Sequence, residues 1–147
     1  MHCWSYNSTI APYMYVYMAT ERAVCYIKIH VHVNKSLRSC DRLENSNITS
    51  YITTEHYVYH IAEDEFVPGN LLFADGNAVK TTDGTTTSLI AGSSIYGGYL
   101  EDGGSNARFR HIHSFLQLSR SLIVLADYFN YCFRNVDRTT NLTSTYS

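Results

Sequence analysis

"ARFRHIHSFLQLSRSLIVLADYFNYCFRNVDRTTNLTS", Ala107 to Ser144, is a succession of short apolar-polar alternations broken by turn-forming residues. Alternation with a period of two is the mark of strands with one face buried. The same order occurs earlier in the chain. "NLLFADGNAVKTTDGTTTSLIAG" (Asn70 to Gly92), set against Ser121 to Ser147, places Asp75 with Asp127, Asn77 with Asn130, Lys80 with Arg134 and Asp83 with Asp137, 52 to 54 residues apart. Each unit reads as strand, tight turn, strand, turn, strand. Upstream of each lies one more alternating segment, "HYVYHIA" (His56 to Ala62) or "HSFLQLS" (His113 to Ser119).

Four short antiparallel strands recurring at a period of about 50 residues are the signature of a propeller blade. The fold class predicted is therefore all-β, with antiparallel four-stranded blades of an incomplete β-propeller. The expected units are a first blade over 56–92, a connecting loop over 93–106 and a second blade over 107–147. Residues 1–55 match neither blade, although "YMYVYMA" and "YIKIHVHV" alternate as strands do. These runs are also what alternating repeat DNA encodes when read through, so part of the segment is expected to be spurious.

Composition agrees with a sheet protein. Thirteen Tyr and six Phe, with many Thr, Val and Ile, suit pleated, half-buried surfaces. The net charge is −2, and no basic tract forms a footprint for a phosphate backbone, so nucleic acid is disfavoured as a partner. No apolar run reaches the length of about 18 residues that a membrane helix needs, and no span is expected in this chain. The first residues show no basic n-region or Leu-rich core of a signal peptide. Four N-x-[ST] sequons, at Asn7, Asn34, Asn47 and Asn141, and four cysteines, at 3, 25, 40 and 132, nevertheless lean towards an extracellular or cell-surface location. Asn141 and Asn47 are the sequons expected to carry glycans.

The chemistry-bearing residues are few. His30 and His32, and His111 and His113, are pairs two apart that lie on one face of a strand. Two imidazoles do not complete a zinc site, so no metal ligand is assigned. "EDGG" (Glu101 to Gly104) reads as a solvated turn rather than a calcium loop. No G-x-S-x-G, P-loop or C-x-x-C occurs, and neither a catalytic residue nor a cofactor is expected. Asp75, Asp127, Asn130 and Arg134 recur with the repeat, which predicts structural work at the turns.

The combination of A-x-F (Ala107, Phe109), a strand ending in Ala126-Asp127, then Asn130, Tyr131, Phe133 and Arg134, and a following Asp137, resembles the NHL repeat. The loop Ala91 to Phe109 is similar to the NHL linker between blades. The resemblance covers about Tyr57 to Ser147 and departs at Ile112, where the family usually has proline. It is closest in kind to extracellular NHL proteins of invertebrates. It implies a ring of about six blades, of which two are visible here. It implies that Arg134 reaches the neighbouring blade and that Cys132 has a disulfide partner beyond residue 147, the other reading being a buried free thiol. The function implied is a non-catalytic scaffold for extracellular or cell-surface binding of a protein or glycan. Two further members of the resemblance supply the rival functions, a zinc-dependent amidating-lyase-like propeller enzyme and an RNA-binding NHL propeller.

Overall fold

The computed structural model of the chain describes residues 13–19, 23–30, 49–54 and 56–146. They form three antiparallel sheets. Strands β1 (Tyr13–Ala19), β2 (Ala23–His30) and β3 (Thr49–Thr53) make a three-stranded meander. Strands β4 (Val58–Glu63), β5 (Leu71–Asp75), β6 (Ala78–Thr82) and β7 (Thr87–Gly92) make the first four-stranded sheet. Strands β8 (Ile112–Gln117), β9 (Leu122–Asp127), β10 (Cys132–Asp137) and β11 (Thr143–Thr145) make the second. In both four-stranded sheets the spatial order is the chain order, as tight connections between successive strands require. The fold is all-β, and the two four-stranded sheets have the form of propeller blades.

The sheets are stacked face to face with their first strands adjacent: β1 lies against β4, and β4 against β8. Between the second and third sheets sits the main core. Leu72, Ala74, Val79, Ile90 and Ala91 of the first blade meet Ile112, Phe115, Ile123, Leu125 and Val136 of the second. Ala107 and Phe109, arriving from the connection, fill the wedge between them and are fully buried. Burying a side chain of Phe, Leu or Ile size contributes about 1.5 to 3 kcal/mol, so this cluster supplies most of the force that holds blade to blade. On its other face the first blade buries Leu71 and Phe73 with Val58, against Ile52 of β3.

Polar contacts lock the same pair of blades. The Phe115 amide donates to His60 Nδ1 at 2.9 Å. Gln117 Nε2 donates to the Glu63 carbonyl at 2.7 Å, and its Oε1 accepts the Glu65 amide at 3.2 Å. The Arg138 guanidinium closes on both oxygens of the buried Asp64 carboxylate, a two-pronged charge-assisted pair. Asp83 and Asp137 occupy the matching third turns of the two blades. Each accepts the amides two and three residues ahead, those of Thr85 and Thr86 and those of Thr139 and Thr140. These backbone donors, Thr86 first in one case and Thr139 first in the other, hold both carboxyls below the usual carboxylate range.

Among the described residues no helix is long and apolar enough to cross a membrane.

Candidate functional site

At the end of the second strand in each blade stands a buried aspartate, Asp75 or Asp127. One oxygen of Asp75 accepts the His56 amide at 2.9 Å, and one oxygen of Asp127 accepts the Arg110 amide at 2.6 Å. The other oxygen faces a cation on the next strand, five or seven residues further on: Lys80 Nζ at 2.7 Å, and Arg134 at 3.3 Å. Ser94 Oγ completes the first set and Asn130 Nδ2 the second, at 3.2 and 2.8 Å. The sequence alone directs these side chains to amides two or three residues away. The structure carries the Asp127 bond 17 residues upstream instead, because folding brings the chain's approach to β8 alongside the end of β9.

Asn130 Nδ2 also donates to the Gly98 carbonyl of the connection at 2.8 Å. Arg134 is fully buried; it donates to the Leu100 carbonyl at 3.3 Å and stacks over Tyr99 and Phe109, 4.5 and 5.3 Å from their ring centres. Asp127, Asn130 and Arg134 therefore form one cluster with the inter-blade connection. Asp75 belongs to its counterpart in the first blade. Gly76, just past Asp75, has φ +63, and a Cβ there would come within 2.9 Å of the Ser94 carbonyl.

These clusters fix the backbone of two matching stretches, 56–60 and 110–114, at one rim. The Tyr57 carbonyl accepts the Gly76 amide, and the His111 carbonyl accepts the Tyr128 amide. In each first strand the register then slips by a residue opposite the aspartate, between Val58 and His60 and between Ile112 and Ser114. The residues at the two slips are Tyr59 and His113. A bulge re-aims the side chain it carries, and bulges are frequent beside functional sites.

The result is a continuous cluster of rings that crosses from one blade to the other. Tyr59 meets His111 edge-on at 4.1 Å; His111 lies 5.9 Å from His113, 5.8 Å from Tyr128 and 5.2 Å from Phe129. Tyr128 and Phe129 touch at 5.0 Å, and Tyr57 extends the row from Tyr59 at 6.3 Å. Half of the surface of Tyr57, Tyr128 and Phe129 remains open to solvent, at 53, 55 and 48%. His111 adopts φ +69, which a residue with a Cβ rarely does. Its amide donates to Asn77 Oδ1 at 2.6 Å, which binds the first blade's turn to the second blade's first strand. Burial, then the neighbouring His113, push the His111 imidazole below its usual pKa. A neutral imidazole offers one donor and one acceptor.

The remaining sequence-predicted residues lie apart from this cluster. Asn141 is exposed at φ +59 in the turn before β11. Asn47, like Asn7 and Asn34, falls outside the described residues, as do Cys3, Cys40 and His32. His30 and Cys25 lie on β2, whose backbone alone is described. Cys132 opens β10 as a half-buried free thiol among the described residues, and burial, then Asp127, raise its pKa. The Glu101 carboxylate accepts the amide and hydroxyl of Thr145, tying the connection to the outer strand. Among the described residues no three His, Cys, Asp or Glu side chains converge as metal ligands. Sequence alone does not single out Tyr57, Tyr59, Tyr128 and Phe129. Their signal lay in "HYVYH" and "DYFN", but a slip in register is needed to bring them together.

No protein-family model and no curated protein matches the sequence.

Proposed function

We propose that the chain is a non-catalytic NHL-like propeller scaffold that works outside the cell or at its surface and binds a protein or glycan through its ring-bearing rim. The observation that carries this reading is the exposed ring cluster shared by two blades, from Tyr59 on β4 to Tyr128 beyond β9. Rigid aromatic side chains provide large contact area at low conformational cost and dominate recognition surfaces. The left-handed backbone at His111 supports it, since strain of this kind is retained where the surroundings enforce it, often at binding sites. The NHL resemblance and the exposed Asn141 sequon support the extracellular setting.

Labelled chain applied to intact animal cells tests the reading. Surface binding should occur with the native chain and fall at least about tenfold for a Tyr59→Ala, Tyr128→Ala double variant that keeps its β-sheet circular dichroism. Equal binding by a folded double variant removes the rim from the function. Expression through a secretory route should give a glycosidase-sensitive product whose mass shift is reduced by Asn141→Gln. An unchanged shift removes that glycan.

A further inference from the structure

The geometry points to a carboxylate-bearing sugar, as part of an acidic glycan, as the ligand of the cluster formed by Tyr59, His111, His113, Tyr128, Phe129 and Arg110. This inference rests on the binding reading above and narrows it to one ligand class. Arg110 is exposed, and its guanidinium stands 6.0 Å from the centre of the Phe129 ring. Its backbone amide is pinned by Asp127, so the side chain projects from a fixed point of the rim. The planar guanidinium presents a fork of donors that matches a carboxylate in two parallel hydrogen bonds. The carboxylate that holds the Arg110 amide, that of Asp127, is fully buried and committed to Arg134 and Asn130. Arg110 thus sets an exposed positive charge beside the rings.

The cluster pairs apolar ring faces with polar edges, a combination that a sugar matches. Its members are tyrosines, histidines, a phenylalanine and an arginine. Flat rings with electron-rich faces accept the C–H face of a pyranose. Phenol and imidazole groups at their edges can exchange hydrogen bonds with the surrounding sugar hydroxyls. A nucleic acid would also find rings and a guanidinium here, but a polyphosphate needs several cations in register, and this cluster contains a single arginine.

The test compares two probes: an oligosaccharide ending in a hexuronate, and its carboxyl-reduced counterpart, in which the carboxylate has become a primary alcohol. Titration of the native chain, followed by NMR or calorimetry, should show at least about tenfold tighter binding of the acidic probe, as two charge-assisted hydrogen bonds would give. Arg110→Gln should abolish that preference while leaving weak binding of both probes. Arg110→Lys, which keeps the charge without the fork, should restore only part of it. Tyr128→Ala should weaken both probes equally, and the two Arg110 variants stay informative if this one fails to fold. Equal binding of the probes by the native chain, or a preference that survives Arg110→Gln, overturns the inference and leaves the broader binding reading standing. Binding of neither probe also overturns it; the cell-surface assay with the Tyr59, Tyr128 double variant then decides the broader reading separately. Salt-sensitive binding of single-stranded RNA at the same residues, with no response to either oligosaccharide, overturns it in favour of nucleic acid.

Discussion

The two four-stranded sheets share a repeat but not an environment. In the first, every residue of β5, Leu71 to Asp75, is buried. In the second, β9 alternates, with Ile123, Leu125 and Asp127 buried and Leu122, Val124 and Ala126 half-exposed. The first sheet lies between two others, so both its faces are covered. The second has its inner face on the main core, while the opposite face shows Leu116 and Phe133 to solvent, at 61 and 59% exposure. Burial period thus reports how many neighbours a sheet has. The buried ion pairs differ in parallel: Asp127 with Arg134 is sealed at 0% exposure of both side chains, whereas Lys80 keeps 15% of its side chain in contact with solvent.

Truncations on the two faces break the comparison most strongly. Phe73→Ala removes a ring buried on the face towards β3 and should cost about 3 to 5 kcal/mol in chemical denaturation. Phe133→Ala, on the solvent-facing side of the second blade, should change stability by less than about 0.5 kcal/mol. A comparable loss at both sites would mean that the second outer face is covered in solution, and sedimentation would then show self-association.

The ion pairs give the next effect. Asp127→Ala leaves the Arg134 guanidinium buried without its counter-charge, and its Nε already lacks a partner among the described residues. It should cost about 3 kcal/mol. Asp75→Ala should cost less, about 1 to 2 kcal/mol, because Lys80 can turn its ammonium towards water. Melting curves that rank the two variants the other way would show that solvent access does not set the difference.

His111→Gly sharpens the contrast at the rim. Glycine relieves the left-handed strain at φ +69 while losing the ring contacts, so stability should stay within about 1 kcal/mol of the native chain. Ligand binding should fall. A severe loss of stability would make the imidazole a packing residue first.

The smallest effect is on pH dependence. The folded-state pKa of His111 is lowered from 6.5, so the unfolded chain takes up the proton first as pH falls. The stabilisation from this group is complete above the unfolded value and is lost as pH drops through it towards the folded value. The native chain should therefore lose slightly more stability than His111→Gly between about pH 7.5 and about pH 5. Parallel curves for the two proteins would show that His111 does not titrate differently on folding.

Much of this architecture is written locally. The alternation in "HSFLQLS", the turn residues around Asp75 and Asp127, and the spacing of Asp83 and Asp137 determine strands, turns and their repetition, because side-chain period and turn chemistry act over a few residues. The strand character of "YMYVYMA" is legible for the same reason, and it matches β1 residue for residue. What Asp127 holds is not legible, since its partner Arg110 is brought beside it by the return of the chain along β8. Nor is the rim cluster. Tyr59, His111 and Tyr128 are separated in sequence and meet through two register slips and the packing of one blade on another. Strand and turn were decided by neighbours along the chain; the site was decided by neighbours across it, where sequence distance carries no information about contact.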